Sequence, residues 1–215
     1  MCSSDLAVLD VRNLALGFAV LFLSRVNGLL YIVNSIEDED LKTRALKRLP
    51  LNTILFLIPF LFFVTAILLS KGFAADPDSG TISLEKFKYL NNLLQMPLVL
   101  IIFLAGVIGV LYGLFIAIFK KNNSAVWFTS LGTILTVFAV FMLAGFNGTS
   151  FYPSSFDLQS SLTIRNASSS EFTLKTMMYV SFLVPFVIAY IWYAWKSINV
   201  NKITDSEMNL NEHKY

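Results

Sequence analysis

The sequence predicts an all-α fold: a polytopic integral membrane helix bundle with about five transmembrane helices. Three observations carry that prediction. Charge is scarce, since 16 Lys+Arg and 14 Asp+Glu make only 14% of the 215 residues while 56% are hydrophobic, and soluble domains average about 25% charged. The apolar residues gather into uncharged runs as long as the roughly 20 residues a helix needs to cross a bilayer. No run alternates apolar with polar residues as the strands of a membrane β-barrel do. A soluble globule of this length could not hide so many apolar side chains in one core. The composition excludes intrinsic disorder, a single cysteine excludes a disulfide scaffold, and a net charge of +2 gives no sign of a nucleic-acid partner.

The uncharged runs are residues 49–70, 89–119, 122–156 and 176–195. They set four helices at about 51–70, 96–119, 125–146 and 174–195, and a fifth at about 13–33 is apolar except for Arg25. The first segment lacks the basic start and small-residue cleavage site of a signal peptide. Met1-Cys2-Ser3-Ser4-Asp5-Leu6 reads as translated sequencing adapter, so residues 1–6 are expected to be non-native. Residues 1–215 are accordingly read as a single membrane domain, the C-terminal part of a longer subunit.

Orientation follows from the basic residues of the short loops. Lys42, Arg44, Lys47, Arg48, Lys120, Lys121, Lys196, Lys202 and Lys214 fall on one side; Arg12, Lys71, Lys86, Lys88, Arg165 and Lys175 fall on the other. The denser side, with the C-terminus and loops 34–50 and 120–124, is expected in the cytoplasm. On the outer side, Ser83 precedes Leu84, Phe87, Leu90 and Leu94 at near-helical spacing, which predicts a short interfacial helix, and Pro97 suits the first turn of the span after it. Loop 147–173 is rich in Ser, Thr and Asn. Within it, Ser168 and Glu171 fit a capping box for the last span. The glycosylation triplets at Asn122, Asn147 and Asn166 are of a kind that arises by chance.

Inside the membrane, Ala105, Gly109 and Gly113, with Gly106 beside them, form a small-residue stripe that lets another backbone approach. Pro59 and Pro185 sit mid-span, where kinks are expected. Trp192, Tyr193 and Trp195 before Lys196 form an aromatic anchor at the cytoplasmic interface. Arg25 costs about 2.5–3.5 kcal/mol at a helix centre on insertion scales, so it should face the bundle or a partner. The plainer reading is a structural arginine bonded to a carbonyl or a partner carboxylate; the alternative is a charge in a proton, quinone or ion path.

Catalytic groups are missing. The only histidine, His213, lies in the polar tail and Cys2 in the suspect opening, so no metal site, haem-ligating pair or nucleophile–base pair can be assembled. Met96, Met142, Met177 and Met178 are packing residues by default. No Gly-rich phosphate loop is present. No catalytic, cofactor-binding or metal-binding residue is therefore assigned.

The outer loop is more specific. Pro153-Ser154-Ser155, Ser161-Leu162-Thr163-Ile164, Asn166-Ala167-Ser168-Ser169 and Thr173-Leu174 resemble subunit II of the cytochrome bd-type quinol oxidases. The run holding Val184-Pro185, the Lys202-Ile203-Thr204 tail ending in Tyr215, and Gly17, Gly28 and Tyr31 ahead of the charged loop 37–48 are similar to the same subunit. The resemblance implies a bacterial cytoplasmic-membrane complex of aerobic respiration that oxidises quinol and reduces dioxygen to water. It implies that the b- and d-type haems sit in a partner, subunit I, that this chain is haem-free and packs against subunit I through small-residue stripes such as Ala105, Gly109 and Gly113, and that small single-span accessory subunits join them. The family's proton-delivery acidic residues belong to an N-terminal half not contained here, so no role is carried over, and Arg25 has no counterpart. A polytopic transporter or channel subunit is the alternative, favoured if Arg25 and the kinked helices line a cavity.

Overall fold

The computed structural model describes residues 10–154 and 156–198. The Met1–Leu6 opening with Cys2, and the tail with Lys202, His213, Lys214 and Tyr215, lie outside these residues.

Five helical spans are observed, as the uncharged runs require. The first, α1 (Val11–Ser35), starts where the Asp10 carboxylate accepts the Arg12 N–H at 2.8 Å. A three-residue turn, Ile36–Asp38, leads to α2 (Glu39–Leu69), capped by Asp38, whose carboxylate accepts from Asp40 and Leu41. With 31 residues, α2 is about 46 Å long at 1.5 Å per residue. It therefore outreaches the roughly 30 Å hydrocarbon layer, and its first turns carry Lys42, Arg44, Lys47 and Arg48 clear of the membrane. The helix runs through Pro50 and Pro59 as one element. After α2 comes a short antiparallel hairpin of β1 (Gly72–Ala75) and β2 (Ile82–Glu85), in register Gly72 to Glu85 and Ala75 to Ile82. Then follow α3 (Lys88–Gln95), α4 (Pro97–Lys120) with its proline at the first helical position, and α5 (Ala125–Gly145). A 3₁₀ turn (Leu158–Ser160) and a one-turn helix α6 (Ile164–Ala167) precede the last span, which is split into α7 (Glu171–Ser181) and α8 (Val184–Ile198).

Two helical hairpins make the bundle. α1 packs along α2 and α4 along α5, with α1 also touching α5. A core of Val26, Leu30, Leu49, Phe56, Val110, Leu114 and Ala125 joins them. The α4–α5 seam depends on glycine. A Cβ on Gly132 would stand 2.6 Å from the Val110 nitrogen and 2.7 Å from the Gly106 oxygen; one on Gly113 would stand 2.9 Å from the Thr129 nitrogen. Helices that close are held by dispersion contact along the whole backbone, the main source of affinity between apolar helices in lipid.

Three expectations need correction here. The helix read from Ser83 onward begins only at Lys88, because residues 82–85 are taken up by pairing with 72–75; Phe87 makes the switch with φ +56°. The small-residue stripe does not face outward to another subunit. Gly106, Gly109 and Gly113 all lie against α5 of the same chain, and Ala105 is exposed beside them. The last span is not capped by a Ser168–Glu171 box. Ser168 turns its hydroxyl back to the Ile164 carbonyl of α6, and the cap is Ser170, whose hydroxyl accepts the Thr173 N–H at 3.4 Å. That shift makes Glu171 the first helical residue. There it suits the positive end of the helix dipole and pairs with Lys175 at 2.7 Å. A reciprocal capping box does occur, at Thr163 and Asn166 of α6.

Pro185 does break its span. Phe182 and Leu183 form a turn between α7 and α8, with the Phe186 and Val187 N–H groups both bonding Leu183 O. This span stands apart from the bundle, with none of its residues buried. Its ring contact is Trp195 edge-on to Trp127, centroids 5.4 Å apart, while Lys196 lies 5.2 Å over Trp192. These contacts place the Trp192–Trp195 cluster beside the α4–α5 turn.

Candidate functional site

Two regions merit description as sites: a polar cap over one end of the bundle and an apolar cavity within it. The cap is built by loop 147–170 folding onto the β-hairpin and α3. Asn147 (φ +56°) and Gly148 (φ +60°) turn the chain out of α5. Gly148 and Ser150 then extend the hairpin edge, Ala75 N donating to Gly148 O at 2.7 Å and Ser150 N to Phe73 O at 2.8 Å. A Cβ on Gly148 would stand 2.7 Å from Ala75 O, so a side chain is barred by both conformation and space. Gln159 clasps the opposite edge with its amide, donating to Ile82 O and accepting from Ile82 N, both at 2.9 Å. Arg165 donates to Pro77 O at 2.6 Å.

Asn92 is the centre of this cap. It is fully buried, and its amide donates to Thr149 Oγ1 at 2.6 Å and Leu143 O at 3.3 Å. It accepts from Asn147 Nδ2 at 3.1 Å, and that same nitrogen reaches Gln95 Oε1 at 2.6 Å. Both donations from the Asn92 amide and the bond its oxygen accepts go into joining α3, α5 and the loop, which is a structural use. Two ionisable groups of the cap are perturbed by their surroundings. The Ser79 hydroxyl, followed by the Asp78 N–H, holds the Asp76 carboxyl below its ordinary range, and burial raises the Tyr89 phenol. A polar cleft runs between Asp76–Gly80, Asn147–Thr149 and Thr163–Ser168.

The cavity lies at membrane depth between the two hairpins, about 230 Å³ in volume, walled by Leu16, Val20, Phe56, Phe60, Phe63, Val107, Val137 and Phe141 among others. Its polar-bearing walls are Thr133 and Thr136, whose hydroxyls are spent on Thr129 O and Gly132 O of their own helix. No titratable side chain lines it, and Arg25 stands outside it.

No histidine or cysteine occurs among the described residues. Met96 and Met142 pack into the apolar cluster of Leu93, Val99, Ala139 and Leu143, and Met177 and Met178 are exposed on the last span. Sequence reasoning missed the Asn92 network, since asparagines on a short amphipathic helix give no hint of partners more than fifty residues away.

A search of curated proteins finds no match. The family profile of cytochrome bd terminal oxidase subunit II matches residues 3–198, covering all five spans and the cap. The chain is therefore a membrane subunit of a multi-subunit terminal oxidase, and it belongs to the cytochrome bd terminal oxidase subunit II family.

Proposed function

We propose that this chain is the haem-free subunit II of a bacterial oxidase that oxidises quinol and reduces dioxygen to water, and that it packs against a haem-bearing subunit I. The observation that carries the reading is the family match over residues 3–198. The ligand inventory supports the haem-free part, because haem iron is usually held by His, Cys, Met or Tyr and the spans offer only packed or outward-facing methionines and tyrosines. Quinol oxidation needs a proton acceptor at the substrate, and carboxylates occur in the five span helices only in their first turns, as Glu39, Asp40 and Glu171. No residue of this chain is assigned to catalysis. The wholly exposed last span supports packing on a partner, since it has little support from its own chain. Single-span accessory subunits complete the proposed assembly.

The test is an absorption spectrum. Purified alone in detergent, the chain is expected to show no Soret band, with haem appearing only when the larger partner co-purifies. A stoichiometric Soret band from the isolated chain would reject the assignment as haem-free.

The proposed location is the bacterial cytoplasmic membrane with the C-terminus and the α1–α2 and α4–α5 turns in the cytoplasm, and the cap outside. Its support is the cluster of Lys42, Arg44, Lys47, Arg48, Lys120 and Lys121 at the end opposite the cap. Reporter fusions after Lys121 and after Tyr215 are expected to behave as cytoplasmic, and one near Ser160 as external. The reverse pattern would invert the topology.

A further inference from the structure

The sequence holds two Asn-Gly pairs, Asn27–Gly28 and Asn147–Gly148. An asparagine before glycine is open to attack by its own backbone, because the following nitrogen has no neighbouring Cβ to shield it. The attack needs that nitrogen free of a hydrogen bond and in water, and an amide side chain able to turn toward it. The structure separates the two pairs on these counts. Gly28 lies inside α1, where helical geometry ties its N–H to Ser24 O, and Asn27 Oδ1 is shut away from solvent. That pair also sits at membrane depth, where water is lacking.

Asn147 and Gly148 sit where α5 gives way to the cap, and both are exposed. Their φ values of +56° and +60° take the chain out of the helix. The Gly148 carbonyl accepts from Ala75, but the Gly148 N–H donates to no group among the described residues. What restrains the pair is the Asn147 side chain, whose Nδ2 donates to Asn92 Oδ1 at 3.1 Å and Gln95 Oε1 at 2.6 Å. While both bonds hold, the amide keeps one orientation, and Nδ2, the group that must leave, is retained.

We propose that Asn147–Gly148 is a self-modification site of the cap, and that the Asn92 and Gln95 bonds set its rate. Gly148 N gives up its proton to solvent base and bonds to Asn147 Cγ. The Cγ–Nδ2 bond then breaks, and the nitrogen leaves as ammonia after taking a proton from water. Water opens the resulting cyclic imide at either carbonyl, giving aspartate or isoaspartate; the net change is water consumed and ammonia released, with no oxidation or reduction. Either product puts a carboxylate where the amide donor stood, facing the acceptors Asn92 Oδ1 and Gln95 Oε1 with no proton to share. Isoaspartate also adds a methylene to the main chain directly before Gly148, whose carbonyl holds the Ala75 N–H. Conversion therefore unfastens the joint between α3, α5 and the hairpin edge, and does so irreversibly.

The experiment follows the membrane protein purified in mild detergent as it assembles in the cell, held for days at neutral and at alkaline pH, then digested in acid for mass analysis. The Asn147 peptide is expected to gain the mass of a deamidation, faster at the higher pH and in both aspartate and isoaspartate forms, while Asn27 stays intact. Gln95 is exposed, so Gln95→Ala disturbs no core packing; it should speed conversion about two- to tenfold, the worth of one hydrogen bond. Gln95→Glu retains the acceptor and should not exceed the wild-type rate. The converted fraction, separated by its added negative charge, should exchange the Ala75 amide faster than the unconverted one. Asn147 converting no faster than Asn122 or Asn166, Asn27 converting alongside it, or aspartate forming without isoaspartate overturns the proposal. So does a Gln95→Ala rate equal to wild type, because the side-chain bonds would then not govern the reaction.

Discussion

Gly132→Val is expected to drive α4 and α5 apart and destabilise the bundle by about 1–3 kcal/mol or more, the usual cost of overpacking. The reason is geometric. The added carbon would meet backbone, at 2.6 Å from Val110 N and 2.7 Å from Gly106 O, and backbone cannot rotate aside as a side chain can. The seam would have to open along its length, losing the close contact at Gly109 and Gly113 as well. Thermal inactivation of the purified oxidase would report it. Ala105→Val is the control: it lies on the exposed neighbouring line of α4 and should leave intrinsic stability near wild type. If Ala105→Val proved the more damaging of the two in the isolated chain, the glycine seam would not be what holds the hairpin.

Asn92→Leu is expected to release the outer cap without separating the spans. Leucine has a similar volume and α3 would still pack, but Thr149 Oγ1, Leu143 O and one Asn147 N–H would lose their partner together. A buried group left unpaired costs about 1–3 kcal/mol. Hydrogen exchange should show loss of protection at the Ala75 and Ser150 amides, which bond across the cap, with span amides unchanged. Retained protection at those two amides would mean that the cap is held by the strand-edge bonds alone.

What could be read from the sequence, and what could not, divides by the range of the interaction. Span existence was legible because the bilayer demands about 20 apolar residues in a row, a local property of the chain. The start of α2 was not: Glu39–Arg48 is charged and carries no apolar run, yet helix continues upstream because Asp38 caps it. The strand at Ile82–Glu85 was misread as helix because its partner, Gly72–Ala75, lies across a turn and pairing overrides local spacing. The cap of the last span failed by two residues, since Ser168 had a nearer acceptor in Ile164 O. The glycines of α4 were recognised as a contact line, but not their direction; Gly132, which completes the seam, sits on a different helix.

The separateness of the last span bears on how the chain responds to change. Residues that share no neighbours do not influence each other's energetics, and changes at distant, independent positions add. The four packed spans and the α7–α8 span therefore make two units rather than one. Damage to the first weakens the whole subunit. Damage to the second, even at the Phe182–Leu183 break, leaves the four-helix part intact except at the Trp195–Trp127 ring contact. Variation can thus accumulate on α7 and α8 to suit whatever neighbour they face, while the α4–α5 seam tolerates almost none.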